Sequence, residues 1–133
     1  MPVRWNIDHQ GRRVEAIAEG VLTVVEVRDY FDCIAVEGAM PYAKLFDMMA
    51  ATHLALSVDE LKSLGASMRQ YAIDGHGPIG PVAIVVPDSA IQLQAAHYAD
   101  ATVSNRSLQI FRERTKAETW LSDVANGRPA RRR

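Results

Sequence analysis

The sequence predicts an α/β sandwich: one domain with a mixed, mostly parallel five-stranded sheet and four helices, in the order ββαβαβαβα. Three observations predict it. A hydroxyl residue stands three places before a Glu or Gln, ahead of an apolar run, at Thr23/Glu26, Ser57/Glu60, Ser89/Gln92 and Thr115/Glu118. That spelling is a capping box, in which each side chain serves the other residue's amide at a helix start. A strand-like run precedes each of these four starts. One of them, VAIVV at 82–86, is apolar throughout, as a strand covered on both faces must be. Strands alternating with helices imply parallel pairing through right-handed crossovers.

The elements follow in order. Residues 3–8 and 14–18 are expected to form a hairpin across His9-Gln10-Gly11-Arg12, which adds the one antiparallel strand near an edge. The first helix starts at Thr23, with Val24, Val27, Phe31 and Ile34 on one face, and stops before Gly38 and Pro41. Residues 42–49 are the next strand, and the apolar stretch 50–56 reads as a loop. The second helix, capped by Ser57, carries Val58, Leu61, Leu64 and Met68 and ends at Asp74-Gly75. The third follows VAIVV and is capped by Ser89, with Ile91, Ala95 and Tyr98. Residues 108–113 alternate as a strand. The last helix, capped by Thr115, buries Ala117, Trp120, Leu121 and Val124 and stops at Asn126-Gly127. The domain is expected over residues 1–126, and 127–133 reads as a basic disordered tail.

Composition narrows the function classes. With 133 residues, 48% hydrophobic and 23% charged, the chain is ordinary globular material. Its single cysteine, Cys33, permits no internal disulfide and fits a reducing cytoplasm. No run has the roughly 20 apolar residues of a membrane span, and the N-terminus lacks the apolar core of a signal peptide. The tail holds four of the 15 basic residues, which leaves residues 1–126 with 11 basic and 16 acidic side chains, a net of −5. An acidic body argues against a nucleic-acid face.

The element order, the lead-in AEGVLT before the first helix and the ending SLQIFRERTKAETWL resemble the SpoIIAA-like branch of the STAS family, the anti-sigma-factor antagonists and their relatives. The resemblance covers about residues 3–125 and rests mainly on core and cap positions. It implies a non-enzymatic, cytoplasmic binding or regulatory module without a cofactor, acting through protein contacts with a partner or a second copy of itself. The antagonists are regulated at a serine opening the helix after the third strand, in a motif like Asp-Ser-Ser-Gly. The matching position here is Ser57, a candidate regulatory phosphosite. It stands between Leu56 and Val58, without the Asp and Gly of that motif.

Read from the residues alone, no motif dictates a chemistry. Gly75-His76-Gly77-Pro78-Ile79-Gly80 matches G-x-G-x-x-G but lies after a helix and before a strand, so no helix start is available to a phosphate. Asp47, His53 and Asp88 fall near strand ends and form a candidate polar site for acid–base chemistry or a divalent metal. The apolar stretch 50–56 together with the first helix offers Tyr30, Phe31, His53, Leu54 and Leu56 as a candidate surface for a partner or a lipid-like ligand. Two main readings stand: a module that binds protein, and a carrier or sensor of a small apolar ligand. An enzyme using Asp47, His53 and Asp88 is a third, without a nucleophile or metal motif to carry it.

Overall fold

The computed structural model describes residues 2–75, 79–102 and 108–125. Its elements are β1 (Val3–Asp8), β2 (Arg13–Leu22), α1 (Val24–Val36), β3 (Ala43–Leu54), α2 (Val58–Ile73), β4 (Val82–Val85), α3 (Ser89–Thr102), β5 (Leu108–Phe111) and α4 (Arg114–Ala125). The strands lie in sequence order across one sheet, β1-β2-β3-β4-β5. The hairpin pair β1–β2 is antiparallel and the other three pairs are parallel.

Strand alternation divides the molecule into two apolar layers. On one face Val14, Ala16 and Ala18 of β2, Met48 of β3 and Val82 and Ile84 of β4 meet α1, α2 and α3. On the other Ala43, Leu45, Ala83 and Val85 meet α4 through Ala117, Trp120 and Leu121. Three helices therefore cover one face and a single helix covers the other.

The apolar stretch expected as a loop is mostly strand. Beyond Asp47 β3 continues beside β2, with Glu19 opposite Ala50, Gly20 opposite Ala51, Val21 opposite His53 and Leu22 opposite Leu54. Register shifts at Ile17/Glu19 and at Gly20/Val21 break the alternation in this stretch, which is why it does not read as a strand. The ribbon 48–54 projects past β4, whose pairing with β3 ends at Asp47.

Two of the four caps stand as expected. Ser57 and Glu60 form a reciprocal box: Ser57 N donates to Glu60 Oε1 over 2.9 Å, and Glu60 N donates to Ser57 Oγ over 3.1 Å. Thr23 N donates to Glu26 Oε1 over 2.8 Å, and the Thr23 hydroxyl donates to Glu26 Oε2. Ser89 and Thr115 are not caps. α3 begins one residue earlier than Ser89 predicts, because Asp88 Oδ1 accepts from Ile91 N at 2.9 Å and takes the N-cap position itself. α4 begins at Arg114, and Glu113 O accepts from Ala117 N, so Thr115 lies inside the first turn. Glu118 binds Arg114 Nε at 2.9 Å.

α1 ends in a Schellman turn. Ala39 N donates to Ile34 O and Gly38 N to Ala35 O, with Gly38 at φ +73°. The expected stop at Asn126-Gly127, the tail 127–133, and His76 to Pro78 of the glycine-rich loop lie outside the described residues.

Candidate functional site

The layer beneath α1, α2 and α3 holds a partly open apolar cavity of about 70 Å³. Its floor is sheet: Leu22 from β2, Phe46, Met48 and Leu54 from β3, Val82 and Ile84 from β4. Its roof is helical: Val27, Tyr30 and Phe31 from α1, Leu61, Leu64 and Met68 from α2, Ala95 and Tyr98 from α3. Aromatic rings prop the space. Tyr30 meets Trp5, Phe46 and Phe31 at centroid separations of 5.6, 5.2 and 5.6 Å, and Phe31 meets Tyr98 at 6.0 Å. Rigid rings facing alanine leave volume that flexible aliphatic chains would fill.

Lys44 is the wall's one charged side chain and is only 2% exposed. A buried ammonium costs several kcal/mol unless hydrogen-bonded. Its Nζ donates to Tyr42 O at 2.9 Å and to Met40 O. The Tyr30 phenol is also buried, and burial pushes its pKa up, with nearby Tyr98 acting in the same direction. The Tyr30 hydroxyl has no hydrogen-bond partner among the described residues.

Above the cavity a polar seam joins α1 to α2. Arg28 donates to Ser63 Oγ at 3.1 Å and to Ser67 Oγ at 3.4 Å. The Tyr71 hydroxyl donates to Asp32 Oδ1 over 2.5 Å. Partial burial and that bond push the Tyr71 pKa up to about 12.

The residues expected as an apolar site are divided by the fold. Tyr30, Phe31, Leu54 and Leu56 are 2–6% exposed and all line the cavity, so they form an interior wall and not a surface. His53 is exposed on the projecting ribbon, opposite Val21. Of the expected polar site, Asp47 and Asp88 each have separate local partners, and His53 lies on the ribbon. Asp47 lies within β3 on the α4 side, where its carboxylate receives Arg114 Nη1 at 2.8 Å and Met49 N at 2.9 Å. Asp88 caps α3. Among the described residues no group of three or more His, Cys, Asp or Glu side chains is placed to hold a metal ion. Ser57 is exposed at the start of α2.

Sequence reasoning missed three residues. Lys44 interrupts the apolar strand run A-K-L-F, and a lysine there is a legible signal of a buried amine. Arg114 contacts Glu15, Asp47 and Glu118 and ties α4 to β2 and β3. Only its i,i+4 spacing to Glu118 is visible in sequence. Tyr98 joins the cavity through a crossover that sequence cannot place.

No family model matches the chain, and no curated protein matches it. Among solved structures it is similar to an uncharacterised protein of the DUF3478 family with a SpoIIAA-like fold, from Shewanella loihica PV-4. The two share 17% identity over 90% of this chain and 93% of that one, with a TM-score of 0.53. The fold is SpoIIAA-like.

Proposed function

We propose that this chain is a non-enzymatic, STAS-like binding module that carries or senses a small apolar ligand held between its sheet and the helices α1, α2 and α3. The observation that supports this most is the cavity wall. The sheet and three helices contribute apolar side chains to one space, and they leave it unfilled where cores are normally close-packed. Unfilled apolar volume lowers stability, so a fold that retains it gains from a guest. Regulation at exposed Ser57, where α2 begins, fits such a module, because α2 forms part of the roof.

Dissolved xenon tests this reading, since dry apolar cavities take up xenon. The methyl resonances of Leu54, Leu61, Leu64 and Met68 are expected to shift in a saturable way, while those of exposed Leu93 and Val36 stay unmoved. Uniform, non-saturating shifts over all methyls would sink the proposal.

A second reading, docking of a protein partner, is favoured by exposed apolar side chains on β2, β3 and the start of α1. Val21 is 51% exposed, Val25 60% and Met49 45%. These residues, rather than Tyr30 or Phe31, are the ones to mutate in a pull-down.

A further inference from the structure

We infer that the cavity takes a small, uncharged molecule with an apolar body and one oxygen acceptor, a short-chain ketone, aldehyde or alcohol, and that the Tyr30 hydroxyl is its polar anchor. This rests on the proposed ligand-binding role and names the class of ligand. Three observations carry it.

The first is size. At about 70 Å³ the space is less than half the roughly 150 Å³ that accepts benzene in an engineered core cavity. A guest of a few heavy atoms fills it.

The second is polarity. The wall is apolar apart from Lys44 and the two tyrosine hydroxyls. Lys44 Nζ already donates to the carbonyls of Met40 and Tyr42, at the N-terminal end of β3. A cation inside such a wall would meet the Lys44 ammonium, and an anion would lose its hydration to face an ammonium already held by two carbonyls, whereas a neutral guest loses much less.

The third is Tyr30. Its residue is 2% exposed, and its hydroxyl makes no hydrogen bond with any described residue. Buried hydroxyls normally have a partner. The oxygen is not sealed in. Among the described residues only Trp120 Nε1 is a fully enclosed side-chain polar atom without a partner. Tyr30 lines the cavity, so a guest held there is the acceptor assigned to its free donor. The raised phenol pKa keeps it a donor throughout the physiological range.

The test compares 2-butanone with 2-methyl-1-butene, which replaces the carbonyl oxygen by CH2, on wild type and Tyr30→Phe. Affinities are read from methyl shifts of Leu54, Leu61 and Leu64. Comparing ratios across the two proteins cancels the different water solubility of the probes. Wild type is expected to prefer the ketone about fivefold more than Tyr30→Phe does, the worth of one neutral hydrogen bond. An equal ratio in both proteins would overturn the anchor while leaving the cavity reading intact if xenon still binds. Tighter binding of butyrate than of 2-butanone by wild type would overturn the neutral class. Loss of response to ketone, alkene and xenon alike would remove both proposals. Should Tyr30→Phe fail to fold, the Tyr30 ring Cζ resonance of wild type serves instead. It must move with the ketone and stay with the alkene.

Discussion

Lys44 and Gly80 donate to the same acceptor: the Lys44 ammonium and the Gly80 amide both reach the carbonyl oxygen of Met40, the amide at 2.9 Å. The turn from Met40 to Tyr42 is thus fixed from the sheet interior and from the loop before β4. Lys44 joins this junction to the cavity wall. It also explains why position 80 is a glycine, since a Cβ there would lie 2.3 Å from Pro41 O and 2.4 Å from Tyr42 O.

Gly80→Ala is therefore expected to destabilise the fold by about 1–3 kcal/mol, the usual range for forced overpacking. The clash is with backbone, which cannot swing aside like a side chain. Chemical denaturation of the variant checks this. An unchanged midpoint would show that the two loops are not in contact.

Capping makes a paired prediction. Asp88→Ala should cost about 1 kcal/mol and Ser89→Ala close to nothing, because Asp88 holds Ile91 N. Likewise Ser57→Ala should cost about 1 kcal/mol, while Ser57→Asp should be tolerated, since Asp caps as well as Ser and suits the positive helix end. Thr115→Ala should be nearly neutral, as Thr115 is inside α4. Melting curves of the five variants decide it, and a reversed order within the Asp88/Ser89 pair would refute the assignment.

These caps show what was legible in the sequence. Every helix is legible from its apolar stripe, and every strand from its run, because those signals are local. The start of α3 shifted by one residue, since two adjacent side chains, Asp88 and Ser89, can each cap and only packing chooses between them. The extension of β3 to Leu54 was hidden by register shifts that depend on β2. The cavity was half legible. Tyr30, Phe31, Leu54 and Leu56 read together as a surface, because sequence shows which residues are apolar and not which layer will cover them.

Trp120 lies on the other face of the sheet, packed at 5.7 Å from Phe111 and 8% exposed. Trp120→Ala should cost about 3–5 kcal/mol. Its Nε1 is buried without a hydrogen-bond partner among the described residues. Trp120→Phe should therefore cost much less than a cavity of that size implies, because it also removes an unpaired donor. Equal losses for the Ala and Phe variants would mean that the indole N–H is satisfied.

Acid should act through Glu26. The Thr23 amide and hydroxyl hold its carboxylate below the ordinary value of 4.5. The unfolded chain therefore takes up this proton more readily than the folded one. The contribution of Glu26 to stability is complete above pH 4.5 and is lost as pH falls through the lower folded value. Glu26→Gln should flatten that part of the stability–pH curve and leave the neutral range parallel to wild type. An unaltered acid limb in Glu26→Gln would contradict the role given to the Thr23 bonds.

The central claim is that real, unfilled volume lies between the sheet and helices α1, α2 and α3, and Ala95→Met tests it most directly. Ala95 is 4% exposed on α3 and lines the cavity. Methionine is flexible enough to follow an irregular space. If the space is empty, the variant gains about 1 kcal/mol from newly buried methylenes, melts higher, and no longer responds to xenon. A loss of about 1–3 kcal/mol, the signature of overpacking, would contradict the cavity and with it the proposed function.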